Sequence, residues 1–212
     1  MKAIMVSIRP KWVAKILNGE KTIEIRKKFP KDYVGWVYIY VTKGKETLSF
    51  DTISKNDKTC YDGFNDKDFD FHFFTITKSD INKGWGWYAS ERNLNGKVVA
   101  RFWCDKVERL YEYQVDGYGS EYEIASDTLK QEELLKECCL TYDQLSDYLG
   151  DINNGYAIHI TKLEIFDKPK EISEFFVFIH IADGLDVRNQ PKRFKIFKHI
   201  TRPPQSWCYV EI

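Results

Sequence analysis

The hydrophobic period of this chain switches twice within its first 26 residues, and that confines the fold more than any other feature. Ile4, Val6 and Ile8 alternate with Met5 and Ser7. A period of two predicts a half-buried strand. Pro10 suits the first turn of a helix, where its missing N–H is not needed. Trp12, Val13, Ile16 and Leu17 then form one apolar stripe at helical spacing. Gly19 supplies the left-handed residue that commonly follows a helix end. From Thr22 the period returns to two, with Thr22, Glu24 and Arg26 on one face and Ile23 and Ile25 on the other. Lys21 has the wrong parity for the polar face, but it sits at the turn and its long stem can swing to either side.

The rest of the chain is strand-dominated. Val37, Ile39 and Val41 alternate with Trp36, Tyr38 and Tyr40, as in a central strand with aromatics on its second face. Val98 to Cys104, Tyr156 to Leu163 and Trp207 to Ile212 read as further strands. Residues 127–137 and 141–149 read as helices, with Asp127 and Thr141 as N-caps and leucine stripes behind them. Residues 46–96 change character, being rich in Asp, Asn, Lys, Gly and Phe, and read as an insertion. Within it Phe69, Phe71, Phe73 and Ile76 hint at a strand pair, and Gly84 to Tyr88 reads as an aromatic turn. Arg188 to Lys198 reads as a basic loop. Six or so strands with few helices predict an α+β fold built on a small mixed barrel. One domain over 1–212, with an insertion at about 46–96, accounts for the pattern. No internal repeat is present.

Composition limits the function classes. Hydrophobic residues make up 43% of the chain, enough for a real core, and no apolar run is long enough to span a bilayer. Met1 leads directly into a strand rather than a secretory signal. Five cysteines without regular spacing argue against a disulfide framework and favour a reduced cytoplasm. Cys138 and Cys139 have no histidine at ligand spacing, so neither a metal nor another cofactor is expected. Net charge is zero but unevenly spread. Residues 1–45 carry eleven Lys/Arg against three Asp/Glu, whereas residues 105–151 carry four against thirteen. A basic face opposite an acidic one orients a polyanion. Mutual neutralisation across the fold accounts for the same asymmetry.

Lys21, Glu24 and Arg26 are the leading site candidates. Two cations beside a carboxylate can hold a phosphate or a base edge, and the carboxylate can act as a general base. The alternative is a surface ion cluster of little energetic consequence. Ser7 can add a hydroxyl from the neighbouring strand. Lys11 and Lys15 lie four apart on the exposed flank of the helix and can hold a phosphate backbone. His159 leaves the face that Ile158 and Ile160 bury, and fits either a structural role or a partner for Lys21 and Glu24. Trp207 and Tyr209 share a strand face, as a base-stacking platform or as packing.

Ser7, Pro10, Gly19, Lys21, Glu24 and Arg26 together make the pattern Ser-x-x-Pro, then Gly-x-Lys-x-x-Glu-x-Arg. This resembles the ASCH domain of the PUA-like superfamily. Residues 37–43, 95–102, 155–160 and 203–211 further resemble a long subgroup of that family found in phage and Firmicute genomes. The resemblance implies a PUA-like mixed β-barrel flanked by helices, and a cleft lined by Ser7, Lys21, Glu24 and Arg26 that binds RNA, a nucleotide or a modified base. Some small ASCH proteins are amidohydrolases acting on N4-acetylcytidine, with a lysine that activates a threonine three residues on. Here Glu24 stands at that position, and a carboxylate is a poorer acyl nucleophile. Ribonuclease activity is also known in the family, which keeps an enzyme open, with Lys21 and Glu24 as its catalytic pair. A third alternative is a protein-interaction module that uses the 46–96 insertion.

Overall fold

The computed structural model describes residues 2–54, 69–115, 122–186 and 188–212. β1 (Ala3–Ile8) runs through the main sheet, parallel to β3 (Gly35–Val41) and antiparallel to β13 (Trp207–Val210). β6 (Lys97–Cys104) pairs with β3, and β10 (Thr161–Glu171) pairs with β6, giving the order β10-β6-β3-β1-β13. Ile4, Val6 and Ile8 face one core with Val37, Ile39 and Val41, under α1 (Pro10–Leu17). Met5 enters a second core with Tyr38, Tyr40, Phe175 and Ile200. β1 is therefore buried on both faces rather than one, because the chain beyond β10 covers the sheet from behind.

A second sheet has the order β2-β9-β7-β8, from β2 (Ile23–Arg26), β9 (Tyr156–His159), β7 (Val107–Gln114) and β8 (Tyr122–Ser126). Ile23 and Ile25 pack with Leu110 and Ile124 against α4 (Gln131–Cys138) and α5 (Tyr142–Leu149). Thr141 caps α5 as expected, in a reciprocal pair with Gln144. Asp127 does not cap α4. Residues 126–129 are taken up by a turn in which Ser126 N–H donates to Leu129 O, and the helix starts at Gln131.

Within 46–96, described residues contribute to the core. β4 (Thr47–Ser54) and β5 (Phe69–Ile76) form a hairpin, and Leu48, Phe50 and Phe73 join the core beneath α1. Asn18 fastens it, donating from Nδ2 to Phe73 O at 2.8 Å and accepting from Phe73 N–H at 3.0 Å. Residues 55–68 of the expected insertion, Cys60 among them, lie outside the described residues. The stretch expected as an aromatic turn is helical, from α2 (Lys78–Asp80) through a π turn (Ile81–Trp85) to α3 (Gly86–Glu91). A Thr77–Asp80 capping box starts it, and Gly84 at φ +103° kinks it.

The expected basic loop is a strand. β11 (Phe176–Leu185) and β12 (Pro191–His199) form an exposed hairpin. Asp186 Oδ1 accepts from the N–H groups of Arg188 and Gln190 and so makes the turn itself. The described residues thus hold thirteen strands rather than six, in an α+β arrangement of several sheets, none of them closed into a barrel. Among them no helix is long and apolar enough to cross a membrane.

Candidate functional site

The site begins with the end of α1. Gly19 takes φ +74°, and Lys21 N–H reaches back to Lys15 O at 3.1 Å, so the chain reverses tightly. Lys21 precedes the pleated strand and is not bound by its alternation. Its Nζ donates to Cys138 O at 2.7 Å, at the C-terminal end of α4, where the helix dipole favours a cation. The same Nζ lies 3.5 Å from Glu24 Oε2, while Arg26 Nη2 lies 3.0 Å from Glu24 Oε1 and donates to Ser7 O at 2.9 Å. Ser7 Oγ donates to Pro204 O at 2.6 Å.

Burial decides between the two readings of this cluster. Lys21, Glu24 and Arg26 are only 3%, 7% and 6% exposed. Desolvating such ions costs several kcal/mol each, and they persist inside a protein only when paired. A surface ion cluster is therefore excluded. Arg26 Nε is buried with no hydrogen-bond partner among the described residues.

The triad forms the floor of a cleft of about 840 Å³ between α1, β2 and α5. Arg9, Lys21, Arg26 and Lys27 line it against two carboxylates, Glu24 and Asp147. Trp12 and Tyr148 add two aromatic rings to the lining, with Lys21 Nζ 5.6 Å from the Trp12 ring centre. Shielding raises the Tyr148 hydroxyl above its ordinary value, and the nearby Arg26 charge works against that rise. Trp12, expected in the helix core, packs partly against that core and also borders the cleft. An anion can be held here by the cations, an exocyclic amine by Glu24, and a flat ring by the aromatics.

The remaining candidates lie elsewhere. Lys15 points to Glu20, 2.7 Å away, and Lys11 sits 4.8 Å from the Trp12 ring centre on the exposed flank. His159 pairs across the sheet with Ile23, on the face opposite Glu24, and its Nε2 lies 3.3 Å from Glu108 Oε1. It does not converge with Lys21. Trp207 packs edge-on against Phe29 and donates from Nε1 to Lys28 O at 2.7 Å, in a separate groove. Sequence reasoning missed Arg9, Lys27, Asp147 and Tyr148. The first two flank the motif and were within reach, whereas Tyr148 and Asp147 arrive through the packing of α5. No group of three His, Cys, Asp or Glu among the described residues could hold a metal ion. No family model matches the chain, and no curated protein matches it.

Proposed function

We propose that this chain binds RNA or a nucleotide in the cleft over Lys21, Glu24 and Arg26, as an ASCH-type member of the PUA-like superfamily with an opened barrel. One observation supports this above the others: a buried triad of two cations and one carboxylate opens to a cleft with an excess of positive charge and two aromatic rings. Arg26 and Lys21 hold the phosphate, Glu24 accepts from a base amine, and Trp12 and Tyr148 offer ring faces. Binding is favoured over acyl transfer because both Glu24 oxygens are engaged by cations.

Fluorescence anisotropy with labelled single-stranded RNA tests the reading. Affinity is expected to fall linearly on a logarithmic salt axis, and Lys21→Met is expected to weaken it at least about tenfold, the loss of one charge-assisted contact. Unchanged affinity in a Lys21→Met protein that melts cooperatively overturns the proposal.

A further inference from the structure

A second concavity of about 800 Å³ adjoins the cleft. Trp207, Tyr209, Tyr156 and Phe29 line it together with Lys27 and Lys28. Lys27 also lines the cleft, so the end of β2 forms the partition between the two. The rings are fixed. Trp207 is tethered through Nε1 to Lys28 O, stands edge-on to Tyr209 at 5.5 Å between centres, and packs on Phe29 at 5.7 Å. Tyr209 is 36% exposed, and Lys2 Nζ stands 3.7 Å from its ring centre. On the partition itself, Lys27 Nζ lies 5.7 Å from the Tyr148 ring centre, back towards the cleft.

Aromatic faces interleaved with lysines are the chemistry of a single-strand groove, where bases stack and the backbone is neutralised in passing. A lone nucleotide needs only the cleft. A groove of the same character joined to it by a shared lysine serves a ligand that continues. We infer that the Trp207–Tyr209 groove is a subsite for the neighbouring nucleotide, so that the ligand is a single strand of at least two nucleotides whose linking phosphate passes over Lys27. This rests on the nucleotide reading of the cleft and extends it.

The test compares the four nucleoside 5′-monophosphates with the corresponding 5′-phosphorylated homodinucleotides by calorimetry. At least one dinucleotide is expected to bind about tenfold more tightly than its mononucleotide, the gain of one stacked base. Tyr209→Ala is expected to abolish that gain and to leave mononucleotide affinity unchanged. Trp207→Phe, which keeps a ring against Phe29, is expected to retain most of it. Dinucleotides that bind no more tightly than mononucleotides overturn the subsite while the cleft reading stands. A gain that survives Tyr209→Ala also overturns it. Failure of every mononucleotide and dinucleotide to bind overturns the subsite, and failure of labelled single-stranded RNA as well overturns both readings.

Discussion

Two buried carboxylates in this protein are satisfied in opposite ways. Glu108, on β7, is fully buried and enclosed. It accepts from the Ser126 and Thr128 hydroxyls, from the Thr128 N–H at 3.1 Å and from the Lys106 ammonium, with His159 Nε2 at 3.3 Å. Burial pushes its carboxyl up, but the bonds from Lys106, Ser126 and Thr128 outweigh that and hold it down at about 2. Glu24, on β2, has two cationic partners and faces a cleft, and one of those partners keeps a buried N–H unpaired. The closed hub staples β7 to the turn after β8. The open one has bonding capacity left for a ligand. Burial of a charge thus does not separate the two roles, and neither does a leftover nitrogen, since His159 Nε2 beside Glu108 is also buried without a hydrogen-bond partner among the described residues. What separates them is that Glu24 lines a cleft while Glu108 is wholly enclosed.

The largest effect should come from breaking the closed hub. Glu108→Ala is expected to cost about 3–5 kcal/mol, because it strands buried donors, and urea denaturation at neutral pH measures it. The pH dependence follows from the depressed carboxyl. Its contribution is present above the unfolded value near 4.5 and is lost as pH falls from there towards about 2. Denaturation midpoints of the native chain should drop across that window, and those of Glu108→Gln should drop less.

The next effect separates the two sites directly. Glu24→Gln leaves Lys21 and Arg26 buried without their counter-charge and is expected to destabilise by about 2–4 kcal/mol. Because that site is open, inorganic phosphate should restore part of the melting temperature, whereas phosphate should do nothing for Glu108→Gln. Equal rescue of both variants would erase the distinction. The smallest effect belongs to the exposed Lys15–Glu20 pair. Lys15→Ala should change stability by less than about 1 kcal/mol and leave RNA affinity within about twofold, since Lys15 lies outside the cleft lining.

The first 26 residues were legible because their information is local: alternation, a helical stripe and a glycine stop place β1, α1 and β2 almost to the residue. Lys21 was legible as a candidate but not in direction, since its partner carbonyl at Cys138 lies more than a hundred residues on. The face of His159 was readable by parity, but its partner was not. Glu108 gave no signal, because a lone glutamate in a strand does not reveal that Ser126 and Thr128 will close over it. The β11–β12 hairpin was misread because a run of lysines and arginines outweighed the Phe194, Ile196 and Phe197 between them.

The clasp between Asn18 and Phe73 carries a consequence for how the chain can be cut. A segment that looks like an add-on by composition is bolted to the helix that walls the cleft. Removing residues 47–76 would strip Leu48, Phe50 and Phe73 from the core they share with Val13, Ile16 and Leu17. A shortened protein would lose the support of its own binding wall along with the hairpin. A shortened chain keeps the clasp and those core side chains only if it retains both paired strands, 47–54 and 69–76.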